Sequence, residues 1–461
     1  MRKTKVIATI GPSSFDTKVL KEFKELGVNC LRINTAHGDF SQYEKSVSKL
    51  KKLDFCVMLD IKGPDVRVIL DKDLEVKKNQ KVTFYFEKNK TPSFTYDFNK
   101  EIKTNSKIFF DNGLLEGKTV SKSAKQITIQ FQDEHIIKPN KGVNIPNTTL
   151  YAPRLSIKDK KSIDFAKKHG IEYIALSFVR SKEDVLNLKK YLKNTGIGVI
   201  SKIENWQGVK NIDEILDVSD GVMIARGDLG VEIEEQRIPL VQKEIIRKAN
   251  SKAKISITAT QLLETMITSK SPTRAEVSDV ANAILDGTDA LMLSGETAIG
   301  NHPALTLKVV NKVAIEVEKS LKHNLRLEEK EQFYGEISKS VHSLSANLPI
   351  DKIVTLTNTG FSASLISRFR SQKSIIAVTT NPKTKNKLKL VWGVTPVLVN
   401  KNVNKYSTSQ IANALLSKKV LSKSDVVIFF AGIDSLDKKV LNILEVHRIK
   451  DLLELTSKKV S

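Results

Sequence analysis

Cysteine is scarce in this sequence: 461 residues contain two, Cys30 and Cys56. Each sits inside an apolar segment (NCLRI and FCVML), so a disulfide framework is excluded and two buried, reduced thiols of a cytoplasmic protein are expected. Long apolar runs are also lacking. The longest, Val426 to Ile433, falls far short of the ~20 residues a membrane-spanning helix needs, so no membrane partner is expected. The N-terminal MRKTKVIATIGPSS breaks at Gly11-Pro12 before a signal-peptide core could form, and a first strand is expected there instead. Aromatic residues are only 6%, and no basic block has aromatics interleaved to stack bases. The formal charge of +23 is the excess of 75 Lys and Arg over 52 Asp and Glu residues, with many of the lysines scattered as KK pairs. That pattern describes a solvated surface that draws small anions, with no nucleic-acid partner. There is no internal repeat or low-complexity tract.

The chain does have an ordinary globular composition, 40% hydrophobic and 28% charged, and a length that suggests about three domains. Short β-like runs alternate with helical-period stretches. Eight such runs can be counted: Lys5 to Ile10, Cys30 to Asn34, Cys56 to Asp60, Tyr173 to Phe178, Val199 to Glu204, Val222 to Ala225, Ile255 to Thr260 and Ala290 to Ser294. Eight parallel strands predict a (β/α)8 TIM barrel over residues 1–63 and 154–325. The gap between the third and fourth runs is too long for one crossover. Residues 64–153 alternate and turn (KVTFYFE, KIFFDNGLLEGKTV, KQITIQFQ) and predict an inserted all-β lid domain. Residues 326–461 predict a C-terminal open-sheet αβ domain with strands at Lys352 to Leu356, Ile375 to Val378, Thr395 to Val399 and Asp425 to Phe430.

Barrel enzymes work at the C-terminal ends of their strands, and polar residues crowd there. Arg32 and Asn34 end the second strand, and Asp60 the third, followed by Lys62 and Arg67. Lys202 and Glu204 end the fifth strand, and Arg226, Gly227 and Asp228 the sixth. Thr260 ends the seventh, and Ser294 with Glu296 the eighth. Glu204 and Asp228 supply hard oxygen ligands suited to magnesium, although each alone could be a structural ion pair. Cations beside them suit a phosphorylated, multiply charged substrate, because phosphoryl transfer asks mainly for alignment and charge neutralisation. The Gly227-Asp228 amides at a helix start can receive a carboxylate, or simply turn the chain.

The blocks KVIATIGPSS, LRINTAHG, MLDIKGPDVR, KGVNIP, ISKIENWQGV, DGVMIARGDLGVE, TATQLLETM, SPTRAEVSDVANAILDGTDALMLSGETA and LVWGVTPVLV resemble those of pyruvate kinases, in order and over nearly the whole chain. The resemblance implies transfer of a phosphoryl group from phosphoenolpyruvate to ADP in glycolysis. It assigns Lys202 to the migrating phosphoryl group, and Glu204 and Asp228 to a divalent cation, Mg2+ or Mn2+. Arg32, Arg67 and the lid residue Lys141 would contact phosphates. Gly227 and Asp228 would hold the substrate carboxylate, and Thr260 would lie beside the enolate carbon. Pro12 and His37 match positions near the nucleotide, though a turn former and a structural histidine explain them equally well.

Three departures accompany the match. Thr35-Ala36 replaces the family's Phe-Ser pair, which removes a potassium-binding hydroxyl and leaves Asn34, Asp60 and the Ile61 carbonyl, with Asp65 in place of Glu. K+ therefore stays a possible cofactor that has lost one ligand. Asp111-Asn112-Gly113 stands for Asp-Asp-Gly and reads as a tight turn. Thr357, Asn358, Thr359, Gly360 and Ser362 resemble an effector-phosphate loop, but the later effector loop is replaced by FAGIDSLDKKVLN. The resemblance also implies a homotetramer. A catalytically weakened paralogue that senses phosphoenolpyruvate or nucleotide is the alternative.

Overall fold

The computed structural model describes residues 2–36, 38–63, 65–87, 89–151, 155–321, 332–400, 407–434 and 440–457. The places where the sequence suggested domain limits, near 63/64, 153/154 and 325/326, fall on or beside residues outside this set.

Eight parallel strands close into a barrel: Lys5–Thr9, Cys30–Asn34, Cys56–Ile61, Tyr173–Leu176, Gly198–Ile203, Gly221–Ala225, Ile255–Ala259 and Ala290–Leu293. Each pairs with its sequence neighbour around the ring, and Lys5–Thr9 meets Ala290–Leu293 to complete it. The strands are buried along nearly their whole length, as expected when helices cover the outside and side chains fill the inside. Local chemistry sets the helix starts. Ser156 with Asp159, and Thr273 with Glu276, form reciprocal capping boxes at the heads of Ile157–His169 and Arg274–Leu285.

Between the third and fourth strands the chain leaves the barrel through Gly63. This glycine adopts φ +63°, and a side chain there would collide with the Ser177 carbonyl. Beyond it, seven strands from Val66–Ile69 to Gly142–Asn144 close into a second, smaller barrel, with Leu74–Val76 and His135–Ile137 pairing separately. The few aromatics of the sequence concentrate there. Phe84, Phe94, Phe98, Phe110 and Phe131 form its core, with the Phe84 and Phe94 rings stacked 5.0 Å apart.

The C-terminal sheet has five strands in the order Val394–Leu398, Ser374–Thr379, Lys352–Leu356, Val426–Asp434 and Val440–Arg448. Sequence reading found four of these. The fifth runs antiparallel to Val426–Asp434, so the segment read as a replaced effector loop contributes both arms of a strand pair. Residues 435–439 lie outside the described set.

This sheet layer packs against the N-terminal ends of the barrel strands. Ile7, Met58, Ile200, Met223, Ile257 and Met292 inside the barrel share one apolar cluster with Ile353, Ile366, Leu390, Val391 and Val394. Polar pins surround it: Lys5 Nζ donates to the Val394 carbonyl at 2.7 Å, and Arg370 Nη2 lies 3.1 Å from Asp289 Oδ2. Cys30 and Cys56 sit side by side in register in the barrel floor, both buried and free. No helix among the described residues is long and apolar enough to cross a membrane.

Candidate active site

The opposite, C-terminal ends of the strands open into a cavity of about 470 Å³ roofed by the lid. Arg32, Asn34, Asp60, Lys202, Glu204 and Asp228 line it from the barrel, and Arg67 and Lys141 from the lid side. Eight residues from far-apart positions in the sequence thus face one cavity.

At its base is a buried array of alternating charge. Lys202 Nζ lies 2.8 Å from Glu204 Oε1 and 3.4 Å from Asp60 Oδ1, and it donates to Ser177 Oγ at 2.8 Å. Arg32 Nε bonds Asp60 Oδ2 at 2.8 Å, and its Nη1 donates to Thr9 Oγ1 at 3.0 Å. Burial works against the Lys202 ammonium, but Asp60 and Glu204 more than offset it and raise its pKa. Asp60 is likewise opposed by burial, yet Lys202 and Arg32 hold it below the usual carboxylate range. Glu204 behaves oppositely. Burial, together with the Asp228 charge, pushes it up to about 7 despite Lys202.

The two acids differ in what holds them. Glu204 Oε2 accepts the Phe178 amide at 2.7 Å, so its carboxylate is locked in place. Among the described residues Asp228 has no hydrogen-bond or ion-pair partner. No group of three His, Cys, Asp or Glu side chains is poised for a metal among the described residues. A buried carboxylate that resists ionisation, next to an unpaired one, fits a magnesium-type cation that keeps substrate and water oxygens for its remaining positions.

Thr260 and Gly227 are joined: the Gly227 amide donates to Thr260 Oγ1 at 2.9 Å, and that hydroxyl donates to the Ala259 carbonyl at 2.6 Å. A substrate carboxylate would compete for this amide. Around the proposed potassium position the oxygens already have partners. Asn34 Oδ1 accepts the Ala36 amide at 3.1 Å, and the Ile61 carbonyl accepts the Ser177 amide at 3.3 Å. Asp65 lies 2.5 Å from Arg67 Nε and 3.4 Å from Lys62 Nζ. In the lid, Lys141 Nζ pairs with Asp111 Oδ1 at 2.7 Å. The Asp-Asn-Gly segment is a turn, with all three residues at positive φ, but its acid also tethers the lid lysine.

Other expectations change. Arg226 and Glu296, counted among the polar residues at the mouth, turn away from the cavity. Arg226 grips Asp279 and the Thr260 and Gln261 carbonyls, and Glu296 accepts the Ser294 amide at 2.7 Å. Pro12 is exposed at the start of a short turn and does not line the cavity. His37 lies outside the described residues. In the C-terminal domain the loop polar groups are used internally: the Gly360 amide donates to Thr357 Oγ1, Ser362 Oγ to the Leu356 carbonyl, and Thr384 Oγ1 to the Asn358 carbonyl. The Phe361 amide donates to Thr359 Oγ1 at 3.4 Å.

Sequence reasoning passed over Ser177, Phe178 and Arg180, which follow the fourth barrel strand and line the cavity. Polar residues at the end of that strand were the available signal, the same one used for its neighbours. Asn144 and Glu232, which also line it, carried no such signal.

Two family models match the chain: "Pyruvate kinase, barrel domain" over residues 1–307, and "Pyruvate kinase, alpha/beta domain" over residues 335–447. The chain belongs to the pyruvate kinase family. The pyruvate kinase of Staphylococcus saprophyticus is 37% identical over 478 aligned positions, covering 98% of this chain and 81% of that one. The pyruvate kinase of Clostridium acetobutylicum is 36% identical, covering 98% and 100%. A crystal structure of a pyruvate kinase from Cryptosporidium parvum superposes with a TM-score of 0.90 at 31% identity, covering 97% of this chain and 96% of that one. The chain is a phosphotransferase that passes the phosphoryl group of phosphoenolpyruvate to ADP, giving pyruvate and ATP. Pyruvate kinases generally need a divalent cation and potassium, and nothing in these matches favours the catalytically weakened alternative.

Proposed function

We propose that the buried array around Lys202 is the phosphoryl-transfer centre, with each residue acting as the sequence resemblance suggests. Lys202 faces the migrating phosphoryl group, and Arg32 with Arg67 grips phosphate oxygens from the barrel and the lid hinge. Glu204 and Asp228 hold Mg2+ or Mn2+, which when bound neutralises charge on phosphate and enolate oxygens. Lys141 exchanges its Asp111 partner for nucleotide phosphate. The Gly227 and Asp228 amides receive the substrate carboxylate, and Thr260 stands beside the enolate carbon that gains a proton. Pro12, exposed outside the cavity, would meet the nucleotide beyond it if it does more than turn the chain, and His37 would stand at the same end if it is not a structural histidine. The units are 1–63 with 154–325, 64–153 and 326–461. Asn34, Asp60 and the Ile61 carbonyl form a thinned potassium site. The enzyme works in the cytoplasm as a homotetramer, and the Thr357–Ser362 loop is the place where an effector phosphate would bind.

The observation that carries this reading is the Lys202 ammonium, fixed 2.8 Å from Glu204 and joined through Asp60 to Arg32. Its charge is thereby maintained at neutral pH in a buried setting. Lys202→Met is expected to abolish pyruvate formation from phosphoenolpyruvate while leaving proton exchange at the methyl group of pyruvate measurable by NMR, since that exchange needs no phosphoryl charge relief. Loss of both activities from a folded variant would remove Lys202 from this role.

A further inference from the structure

Among the described residues the lid meets the barrel helix Arg226–Glu232 at two points. Asn144 Nδ2, on the last lid strand, donates to Glu232 Oε1 at 2.9 Å. Gly113, in the Asp-Asn-Gly turn at φ +87°, faces Val231 so closely that a Cβ there would lie 3.3 Å from Val231 Cγ1. Both contacts fall on the last two residues of the helix Arg226–Glu232, whose first turn carries Gly227 and Asp228. Leu229, between the two ends, is buried in the barrel core and anchors this short helix, so the lid bonds to a fixed point of the barrel.

The lid side is equally well connected. Asn144 belongs to the strand Gly142–Asn144, immediately after Lys141, and in that strand Gly142 pairs with Arg67. One hydrogen bond thus joins the strand that follows Lys141 and pairs with Arg67 to the helix bearing the unpaired acid.

We infer that Asn144 and Glu232 form a latch, a pair of positioning residues that holds the lid over the cavity. The inference rests on the reading of Arg67 and Lys141 as nucleotide contacts, because a lid that delivers them must be held down while it does so. A single bond to a carboxylate at a partly exposed rim suits a contact that has to open at every turnover.

Reversing the polarity of the pair tests this. Asn144→Asp sets one carboxylate against another and is expected to raise KM for ADP roughly tenfold, with KM for phosphoenolpyruvate within about twofold of the parent. Adding Glu232→Gln to that variant restores the bond with donor and acceptor exchanged, and is expected to bring KM for ADP back to within about threefold of the parent. An unchanged KM in Asn144→Asp, or a double variant no better than the single one, would overturn the latch while parent turnover stays normal. Absence of pyruvate formation by the parent protein would instead overturn the reading beneath it.

Discussion

Arg226 and Asp279 meet twice at 2.7 Å, Nη1 to Oδ1 and Nη2 to Oδ2, in a fork-to-fork pair between the sixth barrel strand's end and the helix Arg274–Leu285. The same guanidinium donates to the Thr260 and Gln261 carbonyls at 2.7 Å. Those two residues sit at φ +66° and +52°, a left-handed conformation that a non-glycine residue holds only when its surroundings impose it.

Arg226→Lys keeps a positive charge but loses the fork. The Thr260-Gln261 turn is expected to relax, lowering kcat for pyruvate formation about tenfold or more and destabilising the protein by about 2 kcal/mol. Steady-state kinetics alongside urea unfolding separates the two effects. A stability loss with kcat intact would mean that the turn holds its shape without Arg226.

Potassium activation is expected to be weak. Ala36→Ser puts a hydroxyl back beside Asn34, and the ratio of activity in potassium to that in tetramethylammonium should rise in this variant. An equal ratio in parent and variant would show that the Ala36 side chain lies outside the cation's coordination.

Lys5 gives a pH dependence. Burial pushes its ammonium down to about 8 from an unfolded value of 10.5. Between those two pH values the unfolded chain binds more protons than the folded one, so stability rises with pH across this window. Below pH 8 the folded protein must accommodate a charged ammonium at the barrel floor. Lys5→Met should reduce the slope of urea-unfolding stability between pH 8 and 10.5, and a slope equal to that of the parent would show that Lys5 titrates as it does in water.

The barrel was readable because its strands are short apolar runs with polar ends, and the residues of the site were readable because they sit at those ends. What a strand end does not encode is the direction its side chain takes. Arg32 and Arg226 look alike in sequence, yet one reaches the cavity and the other reaches Asp279. Pairings between distant segments were illegible for a similar reason: nothing near Lys141 in sequence announces Asp111, and nothing near Asn144 announces Glu232. The strand Val440–Arg448 gives little signal in sequence because Asn442, Glu445 and His447 interrupt its apolar residues, the pattern of a strand at a sheet edge.

The apolar cluster shared by the barrel floor and the C-terminal sheet has a consequence for dissection of the protein. Cutting the chain after Leu321 would strip Ile353, Ile366 and Leu390 from Ile7, Met58 and Met292, leaving greasy side chains at an open base. The catalytic half produced alone would precipitate, and co-expressing the missing piece should return it to solution.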